Sequence, residues 1–573
     1  MKKLLKISGV IFVLLFFLLV FFYYLTTVSY QIGFKEQLGI FVADNSFYAM
    51  YLQKPAILSE FLGDFLTQFF SVRPVPQIIL LLLLVATWSG IVKLLKLCGA
   101  SSNAYIWALL PVIPEVAFIV FLNYPLSATI GLLIAIWMTV ALCSVKCALC
   151  RRILHILAIP LLYILIGSGV LLFIVSLLFV HLKDWKVGLG ISLTGLLFII
   201  LIGHFCNLTL SQSLLYPIID GYVLPVTKAF LLLPLALLFS LLSGRFKVPG
   251  WIAVIPIAVS LFFAIRLSYN KNLEYSAEIG THAYNDNWDR VKMMSINNKS
   301  NNLHGIYYRN LIFAREGKLA KELFKHTQVA SDGLFMDLQP GVTFLDVFYY
   351  MDVLLEVGDI SQATDCALFC PTVMPKSYSS RGIKNLAEIA MIVNDREAAE
   401  KYLWILSRTS MHKKWALEMK ECLETDSLPE EYQIYRERIP RYDYLYQQNN
   451  WLESLKAIAD ANPLNKVAID YLLCGTLLNK NYQTFLSMYD RYYLNKLDRV
   501  VQVPEIYLQA LLLQATDDES LKAIMEKYNI PQVIVEHYFA FVDMQAQVQG
   551  DVTRLNDFFG TYWLYMLTAK FNN

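Results

Sequence analysis

The sequence predicts an all-α protein, in which a polytopic transmembrane helical bundle is followed by a tetratricopeptide-repeat-like (TPR-like) α-solenoid. Of its 573 residues, 57% are hydrophobic and only 16% are charged, whereas soluble proteins average about 25% charged residues. The long apolar runs fall within 1–268, and helix-spaced apolar residues follow from 269 to 573. We therefore predict a transmembrane domain over 1–268 and a helical repeat domain over 269–573.

The first domain contains enough apolar runs for eight or nine membrane spans. A bilayer core takes about 20 apolar residues per helix. The predicted spans are 7–25, 77–97, 104–122, 125–145, 153–180, 187–206, 226–243 and 250–268. The segment 207–225 contains an acid and two prolines, so it is a ninth crossing, a re-entrant piece or a loop.

Basic residues orient the bundle, because cytoplasmic loops carry an excess of Lys and Arg. Lys2, Lys3 and Lys6 precede the first span, which favours an uncleaved span with a cytoplasmic N-terminus. With eight crossings, Arg245 and Lys247 would face outside. A crossing at 207–225 would place them inside and the second domain outside, and we favour this arrangement.

One basic loop disagrees with the positive-inside rule whether the chain has eight spans or nine. Lys183 and Lys186 lie between the fifth and sixth predicted spans, and both counts leave this loop outside. The overall prediction is a multi-pass membrane protein, in contact with lipid, whose second domain lies outside the cytoplasm.

The first external loop, 26–75, contains an amphipathic helix without basic residues. In ILSEFLGDFLTQFF (57–70), apolar residues come in pairs every four positions. This pattern gives a wide apolar stripe typical of a helix lying on the membrane interface over neighbouring spans. Glu60 and Asp64 share one face of that helix and could act as acid or base, or hold a metal.

The sequence predicts helices throughout the second domain. Turn signals fall every 12–20 residues, and no run alternates apolar and polar residues as a β-strand would. Similar helix-start sequences recur at intervals of about 30 to 55 residues, which is less regular than the 34-residue period of TPR arrays. Solenoids of this kind bind protein partners on a concave surface. From 267 on, 39 acidic residues outnumber 31 basic ones, which argues against nucleic acid as a partner.

Three ionisable residues of the apolar half are further candidates. Glu115 lies within a predicted span, where an unpaired charge is costly and is a candidate for function, although we favour a position near the end of the span, with the carboxyl group reaching the surface or protonated. His204 and Asp220 flank the ambiguous segment and could line a cavity, although we favour a position of both residues at the membrane surface. The chain has no P-loop, HExxH or GxSxG motif.

The cysteines do not lead to a predicted metal site. Cys143, Cys147 and Cys150 have the C-x3-C-x2-C spacing of some iron–sulfur sites, but they stand at the end of a span, where cysteine is a common small residue. We predict neither a metal nor a cofactor, unless the protein is an enzyme of the kind considered below.

Several stretches resemble a family of Bacteroidetes-type polytopic membrane proteins with a domain of unknown function and a TPR-like C-terminal region. They are NDNWDRVKMM, REGKLAKELF, AEKYLWILSRTSMHKKWA, ANPLNKVAIDYLL, FFGTYWLY and, in the first loop, ILSEFLGDFLTQFF. The resemblance implies a bacterial inner-membrane protein and brings no reaction with it.

In layout alone, the chain is similar to many-span glycosyltransferases that use lipid-linked sugars. Those enzymes carry a general base or metal ligand in an acidic first external loop, which here offers Asp44, Glu60 and Asp64. The chain lacks a DxD-type pair there. We expect a membrane-anchored scaffold that recruits a protein through the solenoid. The alternatives are such a glycosyltransferase, with a polyprenyl-phosphate sugar and possible divalent metal, or a transporter using Glu115.

Overall fold

The computed structural model is helical throughout the part of the chain that it describes, and no β-strand occurs there. The described residues are 2–100, 104–181, 184–218, 232–245, 250–298, 301–335, 343–373, 378–444, 450–494, 503–548 and 551–569. The predicted all-α class is confirmed.

The chain forms two compact units, and neither is one continuous stretch of sequence. The first consists of Met1–Glu278, Cys370–Lys384 and Glu400–Glu421, and the second of Ile279–Phe369, Asn385–Ala399 and Cys422–Asn573. Two short pieces from the C-terminal half of the sequence thus belong to the unit that contains the apolar helices.

The first unit is built around a large apolar core contributed by most of its helices. Within 1–278 its helices are Lys2–Thr26, Ser29–Phe34, Asn45–Tyr51, Ile57–Thr67, Val75–Leu97, Ala104–Trp107, Val112–Phe118, Leu126–Cys143, Ala148–Ile166, Val170–Val180, Trp185–Phe205, Leu210–Leu215, Leu232–Arg245 and Gly250–Ser268, and Lys271–Tyr284 begins in it. Most of Arg396–Ser407 and of Lys413–Glu424 also belongs to this unit.

The predicted count of eight or nine spans requires correction. By length and composition, five helices of the described residues could cross a membrane, or six if the bent pair Ile252–Ser268 and Lys271–Tyr284 is one span. The five are Ser8–Thr26, Val75–Leu97, Leu126–Cys143, Ala148–Val180 and Trp185–Phe205. These segments establish a chain with several helices of membrane-spanning character.

Prolines and glycines account for part of the difference. The run 104–122 is broken into Ala104–Trp107 and Val112–Phe118, because Pro111 and Pro114 cannot supply the amide donors of a continuous helix. In the segment 207–225, a helix covers only Leu210–Leu215, and 219–225 lie outside the described residues.

The segment 148–180 reverses direction within its length. His155 Nδ1 lies 3.0 Å from His181 Nε2, whereas a straight helix would separate these residues by about 39 Å. The reversal occurs at the 3₁₀ turn Gly167–Gly169, where Gly167 has a φ of +59°, a conformation that favours glycine. This segment is therefore an antiparallel hairpin.

The second unit consists of helices joined mostly by short turns. Apart from the end of Lys271–Tyr284, the helices that lie wholly or partly in it are Trp288–Ile296, Leu303–Arg315, Leu319–Glu322, Phe344–Val357, Ile360–Val373, Ser380–Ile392, Arg396–Ser407, Lys413–Glu424, Glu430–Arg438, Trp451–Ala461, Lys466–Leu478, Tyr482–Tyr489, Glu505–Leu512, Asp518–Tyr528, Gln532–Gln547 and Tyr562–Thr568. Consecutive helices such as Trp451–Ala461 and Lys466–Leu478 pack against each other.

The helix Ile57–Thr67, which we call the loop helix, packs on Leu126–Cys143 and Ala148–Ile166. Gly63 allows this close approach, since a Cβ there would stand 2.8 Å from the Ser127 amide nitrogen. Leu58 and Phe65 remain exposed on the loop helix. The buried face thus holds the loop helix on the bundle while part of its apolar surface stays uncovered.

Candidate functional site

Residues 36–43, which follow the first apolar helix, are hydrogen-bonded to the two later pieces of the first unit, Cys370–Lys384 and Glu400–Glu421. The Ser380 amide donates to Gly39 O at 3.1 Å, and the Ser380 hydroxyl donates to Glu36 O at 3.0 Å. The Ala43 amide donates to Arg408 O at 3.0 Å. Backbone hydrogen bonds therefore fix residues 36–43 against parts of the chain more than 300 positions away.

A half-open cavity lies where these segments meet the loop helix. Its volume is about 60 Å³, and it opens to solvent. Its polar lining includes Lys35, Glu36, Asp64, Gln68 and His412. We call it the Glu36 cavity. Two carboxylates, one lysine and one histidine thus line a small cavity that opens to solvent.

Glu36 is the most closely held acid of this cavity. Its side chain is buried, and Glu36 Oε1 lies 2.9 Å from His412 Nε2. The position of His412 is fixed in turn by its amide, which donates to Thr409 Oγ1 at 3.1 Å. A carboxylate oriented by a histidine at this distance is suited to proton transfer. The sequence interpretation missed Glu36, because the short stretch KEQL has no helical periodicity.

Lys35 is buried beside Glu36. Its Nζ donates to Ile119 O at 2.6 Å and to Tyr124 O at 2.8 Å. Burial lowers the pKa of Lys35 to about 7, although the nearby Glu115 charge acts in the opposite direction. The two carbonyl acceptors match the two N–H groups of a neutral amine.

Glu115 is fully enclosed and hydrogen-bonded. It is 2% exposed, and it accepts hydrogen bonds from the Tyr124 hydroxyl, at 2.9 and 3.0 Å to its two oxygens, and from the Thr129 hydroxyl. Because the carbonyl of Tyr124 also binds Lys35, a continuous set of polar contacts connects Glu115 with the Glu36 cavity.

Of the three acids predicted in the first loop, Asp64 alone lines the Glu36 cavity. The Tyr51 hydroxyl donates to Asp64 Oδ2 at 2.9 Å. Glu60, one turn earlier on the loop helix, accepts a hydrogen bond from the Tyr216 hydroxyl at 3.0 Å. It does not line the Glu36 cavity.

Asp44 has a structural position as the N-cap of helix Asn45–Tyr51. It accepts from the Ser46 amide at 3.0 Å, and its Oδ2 lies 3.4 Å from Arg408 Nη1. The hydrogen bonds from Ser46, aided by the Arg408 charge, lower the pKa of Asp44. These contacts satisfy a helix terminus.

The remaining candidates are not brought to this place. His204 is exposed in the last turn of helix Trp185–Phe205, and Asp220 lies outside the described residues. Among the residues that the structure describes, no group of three or more His, Cys, Asp or Glu side chains is placed to hold a metal ion.

Comparison with known proteins identifies a family without assigning an activity. The model of a family of unknown function, DUF6057, matches residues 3–569. No curated protein and no solved structure matches the chain. Since the match covers nearly the whole sequence, the protein belongs to the DUF6057 family.

Proposed function

We propose that this protein is a membrane-bound glycosyltransferase that uses a lipid-linked sugar and performs its chemistry in the Glu36 cavity. The observation that carries the proposal is the placement of Glu36 beside His412 in a cavity that adjoins the loop helix. Exposed Leu58 and Phe65 on that helix suit contact with the membrane, where the lipid part of the substrate would remain.

In this proposal Glu36 is the general base. Its carboxylate takes the proton of an acceptor hydroxyl while the hydroxyl oxygen forms a bond to the anomeric carbon of the sugar. The bond from that carbon to the lipid phosphate oxygen breaks, and the phosphate leaves with the electron pair. His412 positions the carboxylate, and Asp64 offers a second carboxylate to the sugar hydroxyls. No step requires a metal.

The test compares isosteric variants in cells that lack the native gene. We expect Glu36→Gln to abolish the surface glycan that depends on this protein, a loss of about 10²-fold or more for a missing base. Glu60→Gln is the matched control, because Glu60 lies away from the cavity, and it should restore the glycan. Mass spectrometry of surface glycans gives the readout, and immunoblotting of membranes confirms equal protein levels. A glycan unchanged by Glu36→Gln contradicts the proposal.

We place the protein in the bacterial inner membrane with its N-terminus in the cytoplasm. Lys2, Lys3 and Lys6 before the first span support this orientation. The Glu36 cavity then faces the periplasm, since it follows the first span directly.

A second candidate function concerns the second unit, which we propose to be a TPR-like platform for a protein partner. Its successive helix pairs, such as Trp451–Ala461 with Lys466–Leu478, favour this role. Native purification followed by mass spectrometry tests it. A stoichiometric partner that is lost when 422–573 are deleted supports the platform, whereas purification of the protein without such a partner contradicts it.

A further inference from the structure

Two exposed cysteines lie where the turn after helix Leu126–Cys143 leads into helix Ala148–Ile166. Cys147 is the N-cap of the second helix, and Cys150 is its third residue. Both are exposed, whereas Cys143 and Cys206 are half-buried and Cys366 and Cys474 are buried. The pair has the C-x-x-C spacing of dithiols that react at helix N-termini.

The Cys147 sulfur is stabilised as a thiolate by its surroundings. The Cys150 amide donates to Cys147 Sγ at an N···S distance of 3.4 Å. The hydrogen bond from the Cys150 thiol is the largest influence that lowers the pKa of Cys147, followed by that from the Cys150 amide, and the Arg151 charge acts in the same direction. Thiolates are the reactive form of cysteine.

The two sulfur atoms are also placed to meet. Cys147 and Cys150 are three positions apart, a spacing that puts side chains on one face of a helix, and the Cys150 amide contacts the Cys147 sulfur. An N-cap residue lies outside the rigid part of the helix. Rotation of the two side chains at this helix start is therefore the movement that would form a disulfide between them.

We infer that Cys147 and Cys150 form a thiol–disulfide exchange site that reacts with a low-molecular-weight or protein disulfide. The Cys147 thiolate attacks one sulfur of that disulfide, forms a mixed disulfide and releases the other sulfur as a thiolate. The Cys150 thiol then loses its proton and attacks Cys147 Sγ, which releases the second thiolate. Two electrons pass from the Cys147–Cys150 pair to the incoming disulfide, which is reduced to two thiols.

Basic residues next to the pair favour anionic reactants. Lys146, Arg151 and Arg152 adjoin it in sequence, and Arg151 is held near the turn by a hydrogen bond from its Nη1 to Val145 O at 3.2 Å. Arg152 pairs with Asp184 at 2.7 Å, so Lys146 and Arg151 supply most of the local positive charge. Oxidised glutathione, which carries net negative charge, is therefore a suitable probe.

The experiment uses the full-length protein in native membrane vesicles incubated with oxidised glutathione at pH 7. Free thiols are then blocked with iodoacetamide. Trypsin cleaves after Lys146 and Arg151 and releases the pentapeptide CALCR, which contains both cysteines. We expect mass spectrometry to find this peptide two hydrogens lighter than its reduced form and without alkyl groups.

Single substitutions separate the roles of the two sulfurs. Cys150→Ser should accumulate glutathione on Cys147, because the resolving thiol is absent. In Cys147→Ser, Cys150 should react with iodoacetamide at least about threefold more slowly than Cys147 does in Cys150→Ser, because the Cys150 amide donates to the Cys147 sulfur and the thiolate is the reactive form of cysteine. Cys206→Ser is the matched control and should form the Cys147–Cys150 disulfide as the wild type does. A wild-type peptide that remains doubly alkylated, or that retains glutathione without closing, overturns the inference, as does equal reactivity of the two cysteines.

Discussion

Glu36 shows why the most important contact of the site could not be predicted from the sequence. The sequence placed candidate acids in the first loop, and Asp64 indeed lines the cavity. The partner of Glu36, however, is His412, which lies 376 positions away. Neither residue belongs to a motif with fixed spacing, so no local pattern could indicate that a carboxylate and an imidazole meet there.

Asp44 illustrates the opposite case at the same scale. An acid before a short helix is a usual N-cap, and the contacts of Asp44 with Ser46 and Arg408 fit that structural role. In the sequence it was a candidate base only through the similarity in layout to glycosyltransferases with an acidic first external loop. Three-dimensional contacts distinguish an acid at a helix end from one facing a cavity.

Lys35 gives a pH-dependent stability that can be measured. Its pKa falls to about 7 in the folded protein through burial, against about 10.4 in an unfolded chain. Between these values the folded state binds one proton fewer, so this residue makes stability rise with pH from about 7 to about 10, by up to about 1.4 kcal/mol per pH unit. Below pH 7 both states are protonated and the contribution stays at its minimum.

The measurement is the thermal unfolding midpoint of detergent-solubilised protein at pH 7, 8 and 9. We expect the midpoint of wild type, relative to Lys35→Met, to increase with pH over this interval. The difference between the two proteins removes contributions from other groups that titrate there. Parallel pH profiles for the two proteins would show that Lys35 stays charged in the folded state.

At the scale of elements, the positions of the apolar helices could be predicted from the sequence, whereas the breaks within them were harder to predict. Apolar length alone predicted the spans that became Val75–Leu97 and Leu126–Cys143 almost to the residue. The same criterion treated 153–180 as one helix. A reversal at Gly167 depends on close packing of Gly169 against Gly131, which hydropathy does not reveal.

The loop helix depends on a close contact that a single methyl group should disturb. A Cβ at Gly63 would lie 2.8 Å from the backbone nitrogen of Ser127, so Gly63→Ala should force the helices apart at a cost of about 1–3 kcal/mol. Gly190→Ala is the matched control, since nothing lies within 4 Å of a Cβ there. It should leave stability unchanged or raise it by up to about 1 kcal/mol.

The thermal unfolding midpoint in detergent checks both substitutions. We expect Gly63→Ala to lower it and Gly190→Ala to leave it equal or higher. If the two alanine variants behaved alike, the contact between the loop helix and Ser127 would not limit stability. Because Asp64 follows Gly63 directly, loss of the surface glycan in Gly63→Ala at normal protein levels would further link the helix position to the Glu36 cavity.

At the scale of the molecule, contacts within the first unit restrict the membrane topology. The Ser380 amide binds Gly39 O, and His412 binds Glu36. Residues 36–39 and 380–412 must therefore lie on the same side of the membrane, with an even number of crossings between them. Hydropathy could not provide this condition, because it counts spans without knowing which loops meet.

Cysteine labelling of intact cells tests this condition. Lys54 and Lys414 are exposed, so we expect Lys54→Cys and Lys414→Cys, in a Cys147→Ser/Cys150→Ser background, to react equally with a membrane-impermeant maleimide. Labelling of both before permeabilisation places the Glu36 cavity outside the cytoplasm, as proposed. Labelling of one cysteine before permeabilisation and of the other only afterwards would contradict the shared side.

The hairpin at 148–180 changes the predicted side of the basic loop near Lys186, which both span counts left outside. If the chain turns back at Gly167–Gly169, Lys186 lies on the same side as Cys147, because His181 has returned to the level of His155. In the proposed orientation, Lys186 then joins Lys146 and Arg151 on the cytoplasmic side, as the positive-inside rule favours. Lys186→Cys should therefore react with the impermeant maleimide only after permeabilisation, in contrast to Lys54→Cys in the same background. Labelling of Lys186→Cys in intact cells would contradict the hairpin, because the segment 148–180 would then cross the membrane once.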